Sequence, residues 1–179
     1  AHAKWEEIDK KLTEFDGLFR EASPADREKL REGYVQLVTE ARKYLPVLAA
    51  AAEAAYQAAP NQDKQVTEVL LGVTADALRR DDYDVASRLS KLLVANKCDT
   101  VGVNNLAGMA AYCTDDFDAA QTLLTQAEKE SAIGQEGLQY LDDIPEARKR
   151  FAVEQELRKK EAAADDLPRV RLQTNKGTI

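Results

Sequence analysis

Few residues in this chain have the chemistry to act as catalysts or ligands, and their spacing limits what each can do. The single histidine, His2, stands at the first turn of the chain. A group at a frayed end cannot be held as the base of a nucleophilic triad or as a member of a Cys/His zinc site. Cys98 and Cys113 flank a predicted helix. About twelve helical residues keep them roughly 20 Å apart, whereas a disulfide needs Cα atoms within ~7 Å. Both are read as free, half-buried thiols, and cysteine usage leaves the redox compartment open.

The acidic turns offer the densest oxygen chemistry. Asp81, Asp82 and Asp84, and again Asp115, Asp116 and Asp118, could open a calcium loop. Such a loop needs a glycine at its sixth place and a bidentate glutamate at its twelfth. Counted from Asp82, Ser87 and Leu93 stand there instead. Helix capping by Asp84 and Asp118, accepting from free N–H groups, is the simpler reading, and Asp142-Asp143 before Pro145 is read alike. Gly102, Gly108, Gly134 and Gly137 fit no phosphate loop, and no Gly-x-Ser-x-Gly elbow occurs. No metal or cofactor is implied, and the chain itself is read as carrying no complete active site.

The elements that would position any site are helices. Charged residues make up 32% of the 179 residues and aromatics 6%, with only 5 prolines and 8 glycines. That balance suits amphipathic helices with solvated outer faces. The net charge of −7 and the absence of a basic stripe argue against a nucleic-acid partner. The densest bases, Arg148-Lys149-Arg150 and Arg158-Lys159-Lys160, alternate with acids as on a solvated face. No apolar run approaches the ~20 residues of a membrane span. The abrupt opening Ala1-His2-Ala3 fits a trimmed chain, and we expect an exported or periplasmic setting rather than a cytoplasmic one.

An internal repeat organises the middle of the chain. Asp81-Asp82-Tyr83-Asp84-Val85-Ala86 matches Asp115-Asp116-Phe117-Asp118-Ala119-Ala120 at an offset of 34 residues. At the same offset Val73 meets Ala107, Ala77 meets Ala111, Leu78 meets Tyr112 and Leu89 meets Leu123. Small or aliphatic residues thus recur where two helices would press together, and a polar turn recurs between them.

These units resemble the tetratricopeptide family, whose repeat has this length, three small residues at set places and an aromatic before the second. Thr74, Ala86 and Leu93 take those places in the first unit, Gly108, Ala120 and Ala127 in the second. The first unit departs from the pattern in its large Leu93 and in Cys98, where a proline is common. The resemblance implies an all-α stack of antiparallel helical hairpins and a groove along the first helix of each unit. Its lining would be Leu71, Ala75, Leu78 and Arg79, then Asn105, Met109 and Tyr112, taking a protein or extended peptide as partner. Leu71 and Ala75 replace the polar residues of the family's carboxylate clamp, so that activity is not implied.

Around the repeats, about seven helices are expected over residues 3–164. Residues 1–66 form N-terminal helices, 67–134 the two repeats, 135–166 the capping helices, and 167–179 a linker with the first strand of another domain. Trp5, Ile8, Leu12, Phe15 and Phe19 make one stripe, a seam for a hairpin or for a homodimer. Ser23-Pro24 starts the next helix, and Pro46 should kink or break it. A short helix is expected over Ile133–Leu141 and a separate one from Pro145. Val170, Leu172, Thr174, Gly177 and Ile179 resemble the opening hairpin of bacterial cyclophilin-type peptidyl-prolyl isomerases. That likeness implies a parent continuing into a cyclophilin barrel. The family's catalytic arginine and proline pocket lie downstream, so no residue here inherits those roles.

Overall fold

The computed structural model describes residues 1–164, 173–175 and 177–178. Its helices are α1 (His2–Glu21), α2 (Pro24–Ala58), α3 (Lys64–Arg79), α4 (Tyr83–Ala95), α5 (Val103–Cys113), α6 (Phe117–Lys129) and α7 (Gln135–Ala164). Each packs on the next, and α5 also touches α3 and α7. The result is an all-α stack of helical hairpins. A short antiparallel pair follows, β1 (Gln173–Thr174) with β2 (Gly177–Thr178), Gln173 opposite Thr178. Val170, Leu172, Ile179 and the expected stop at Leu167-Pro168 lie outside the described residues.

The stripe of α1 turns inward. Ile8 is buried with Leu37 and Ala41 of α2, and Trp5, Leu12 and Phe15 pack around them. Phe19 stacks on Tyr34 with ring centroids 6.2 Å apart. Ser23 caps α2 as the sequence suggests, its Oγ accepting from the Asp26 N–H.

The helix does not break at Pro46. A proline inside a helix costs about 3 kcal/mol, whereas full burial of one leucine returns about 1.5–3 kcal/mol. Leu45, Leu48, Ala49, Ala52 and Tyr56 are all buried on either side of Pro46, so continuing the face outweighs the lost bond. Pro145 behaves alike. The separate helices expected before and after it are one helix, α7, because Ile144 and Ala147 on either side anchor it in the core with α5 and α6.

The repeat holds in three dimensions. Ala86 and Ala120 both show 0% exposure, and so do Ala77 and Ala127. Ala77, Ala86 and Ala110 meet where the two units join. Close approach reaches its limit at Gly108, where a Cβ would lie 2.6 Å from Leu124 Cγ. The equivalence fails at one pair, since Leu89 is buried but Leu123 only half so.

The caps fall one step earlier than expected. Asp82 and Asp116, not Asp84 and Asp118, accept from the backbone of Val85 and Ala119. Asp84 and Asp118 sit in the first turn, where a negative charge favours the helix dipole. The residue before each cap closes the preceding helix in the left-handed region, Asp81 at φ 58° and Asp115 at φ 61°. Asp82 N–H then reaches Ala77 O at 2.9 Å, and Asp116 N–H reaches Ala111 O at 2.9 Å. Lys97 and Ser131 repeat that closure at the ends of α4 and α6, with Cys98 N–H on Leu93 O and Ala132 N–H on Ala127 O. All four are Schellman closures.

Candidate functional site

The first helices of the two units, α3 and α5, pack on each other, and α5 packs on α7, to make one face. A groove of about 400 Å3 runs along it, lined by Ala75, Leu78 and Arg79 of α3 and by Asn105 and Met109 of α5. Gly137 and Tyr140 of α7 form its far wall. Five of the seven residues expected at a groove, Ala75, Leu78, Arg79, Asn105 and Met109, thus converge. Leu71 does not join them; it packs against the core shared by α2, α3 and α4. Tyr112 lines a neighbouring hollow with Phe117, Arg150 and Phe151.

Two of the five are already engaged. Asn105 Oδ1 accepts from Gly134 N–H at 3.0 Å, and its Nδ2 donates to Met109 Sδ at 3.4 Å. A Cβ on Gly137 would lie 2.3 Å from Asn105 Oδ1. Asn105 therefore ties the start of α7 to α5, and α7 covers part of what the repeats alone would leave open. Leu78, Arg79 and Ala75 keep an accessible edge.

Tyr112 belongs to the closure of α7. Its ring stacks on Tyr140 with centroids 4.3 Å apart and planes 6° from parallel. Its hydroxyl donates to Asp143, which also accepts from Arg150 Nη2 at 2.5 Å. Burial, then the bond to Asp143, pushes the Tyr112 phenol up to about 12. Those same two donors hold the Asp143 carboxyl below its ordinary range. Cys113, on the groove wall, is pushed up chiefly by burial, so it is kept as a thiol rather than a nucleophilic thiolate. Both cysteines are free and half-buried. In the acidic turns Asp82 and Asp116 accept from the backbone, Asp81 accepts from the Tyr83 hydroxyl at 2.6 Å, and Asp118 pairs with Arg148 at 2.6 Å.

A second groove, of about 430 Å3, lies between α1 and α3 over α2. Leu45, Leu48 and Val73 are its floor, Trp5 and Val69 its walls, and Glu6, Asp9, Glu68 and Asp76 its rim. Arg79 lines both grooves. Sequence reasoning missed this one, since it exists only where two non-consecutive helices straddle a third. Gly72, a helix-interior glycine with no heavy atom within 4 Å of the Cβ it lacks, opens onto this groove. A glycine inside a helical pattern does not by itself mark one, since Gly17 is equally open.

Among the described residues no group of three or more His, Cys, Asp or Glu is placed to hold a metal ion, and no helix is long and apolar enough to cross a membrane. No family model, curated protein or solved structure matches the chain. The class is therefore defined by geometry alone: a stack of helical hairpins with a two-part grooved face.

Proposed function

We propose that this chain is a tetratricopeptide-like protein-interaction module that holds an extended peptide on its grooved face, beside a cyclophilin-type prolyl isomerase domain to which catalysis would belong. One observation carries the first half. Leu78 and Arg79 of one unit and Asn105 and Met109 of the next line a single groove. Apolar, flexible and polar groups in one slot suit side chains alternating along an extended strand.

The isomerase half is supported by the residue pattern from Val170 to Ile179 and by the antiparallel pairing of Gln173–Thr174 with Gly177–Thr178. A two-stranded hairpin is marginal in water and calls for more sheet. The rival reading, a scaffold dimerising through Trp5–Phe19, draws less support because that stripe is spent on α2.

Peptides selected from a random extended library on the 179-residue chain test the module. Ala75→Arg, at the groove edge, should weaken selected peptides by about tenfold or more, as loss of a central contact does, with unchanged helicity. Unchanged affinity would remove the reading. Prolyl isomerisation by this chain should stay at background. The gene beyond Ile179 should encode aliphatic strands with an early Ala-Pro; a stop codon there would remove the isomerase half.

A further inference from the structure

The two grooves share Arg79 and so form one track across α1, α3, α5 and α7. Its floor is apolar: Leu45, Leu48 and Val73, then Leu78 and Met109. Its rim is one-signed. Glu6, Asp9, Glu68 and Asp76 border the first groove and Asp81 and Glu136 the second, against Arg79 and the terminal His2. The chain as a whole has 32 acids to 25 bases, so six carboxylates to one arginine is a local concentration and not the general composition.

Some of these acids have partners on their own helix. Glu68 meets Lys64 at 3.3 Å and Asp76 meets Arg80 at 2.7 Å. Exposed pairs of this kind are weak and readily exchanged. Glu6 lies 3.2 Å from His2. Asp9, Asp81 and Glu136 have no ion pair among the described residues, and Asp81 and Glu136 accept only from the hydroxyls of Tyr83 and Tyr140.

Gly72 supplies an independent sign. A glycine inside a helix weakens it relative to alanine, and it leaves room for another backbone to come close. Gly108 and Gly137 have that reason within the fold, because a Cβ on either would strike Asn105 or Leu124. Gly72, like Gly17 of α1, meets nothing of its own chain, but of the two it is Gly72 that lies on the groove surface.

From the apolar floor, the acidic rim and the open glycine, we infer that the occupant of this track is an extended cationic peptide, alternating Lys or Arg with aliphatic residues, whose backbone crosses α3 at Gly72. The aliphatic side chains meet Val69, Val73 and Leu78, and the cations meet the rim. The inference rests on the peptide-binding reading above and adds the partner's chemistry and path.

The test uses the 179-residue chain and three labelled peptides of about ten residues, long enough to span ~33 Å when extended. They share aliphatic positions and carry Lys, Gln or Glu between them. By fluorescence anisotropy at low salt, the Lys peptide should bind about tenfold or more tighter than the Gln peptide, and the Glu peptide weakest. About 0.5 M NaCl should erase most of that advantage. Gly72→Leu should weaken the Lys peptide about tenfold while circular dichroism stays helical. The surface variant Glu6→Gln/Asp9→Asn/Glu68→Gln touches no core residue and should remove the preference of Lys over Gln even if Gly72→Leu fails to fold.

Gln or Glu peptides binding as tightly as the Lys peptide, yet sensitive to Gly72→Leu, would overturn the cationic partner and leave the peptide groove standing. Binding of the Lys peptide untouched by both variants would overturn the track. If no peptide binds, the inference and the reading beneath it fall together.

Discussion

The rings of Tyr112 and Tyr140 lie face to face, 4.3 Å between centroids and 6° from parallel, and this contact joins α5 to the closing helix α7. Phe117 meets the edge of Tyr112 at 5.7 Å, and Phe151 meets the edge of Phe117 at 5.8 Å. Four aromatics from three helices thus hold α7 down. A stacked pair contributes about 0.5–1.5 kcal/mol beyond its buried area. A double-mutant cycle with Tyr112→Leu and Tyr140→Leu, read by urea unfolding, should return a coupling in that range. Strict additivity would mean that the stack contributes area alone.

The same tyrosine makes stability fall at high pH. The Tyr112 phenol is raised from 10.0 to about 12, by burial first and then by its bond to Asp143. Tyr56, pushed up chiefly by burial, also stands at about 12. A raised folded-state value means that the folded form keeps its proton better than the unfolded one. The stabilisation is therefore complete below the unfolded value near 10 and is lost as pH rises through about 12. Unfolding curves of Tyr112→Phe should decline less steeply than wild type across that window. At neutral pH the variant should cost about 1.5–3 kcal/mol for the lost bond to a carboxylate. Asp143 has the opposite sign: its lowered value adds stability that disappears as pH falls through it, and Asp143→Asn should flatten the acid limb.

Lys97 closes α4 at φ 53° with an exposed side chain. A left-handed conformation costs a residue with a Cβ about 1–2 kcal/mol, and glycine little. Glycine loses part of that gain through the larger freedom of its unfolded chain. Lys97→Gly should still stabilise by about 0.5–1 kcal/mol, the difference between those two terms. A lower melting temperature would mean that the lysine stem makes packing contacts worth more than the strain.

How far the sequence leads depends on whether a feature is local or made between distant elements. The 34-residue offset was legible because Ala77, Ala86, Ala111 and Ala120 must all be small for helices to meet, and all four are buried. The start of α2 at Ser23-Pro24 was legible because capping is settled within four residues. The four left-handed closures were not, since Asp81, Lys97, Asp115 and Ser131 replace the glycine that usually marks them. The passage of α2 through Pro46 and of α7 through Pro145 was hidden for another reason. Local preference opposes it, and only tertiary burial of Leu48 and Ile144 reverses the sign. Within the site, Leu78, Arg79, Asn105 and Met109 followed from the repeat frame. Tyr112 departed from it because α7, outside the repeat, supplies Tyr140 and Asp143 to hold it.

Two glycines thirty-six places apart should respond to alanine with opposite signs. Gly72 has no neighbour within 4 Å of its absent Cβ, so Gly72→Ala gains the ordinary helix preference of about 0.5–1 kcal/mol. At Gly108 the new methyl would lie 2.6 Å from Leu124 Cγ, 2.8 Å from its Cδ2 and 3.1 Å from its backbone nitrogen. The clash involves the branch point and the main chain, not a mobile tip, so a rotamer change cannot relieve it. Leu124 is fully buried, and overpacking there costs about 1–3 kcal/mol, which exceeds the helix gain. Thermal unfolding of the two variants should therefore bracket the wild type, Gly72→Ala above it and Gly108→Ala below. Both variants melting above the wild type would mean that α5 and α6 are not pressed together at this point, and the close-packed join between them would have to be abandoned.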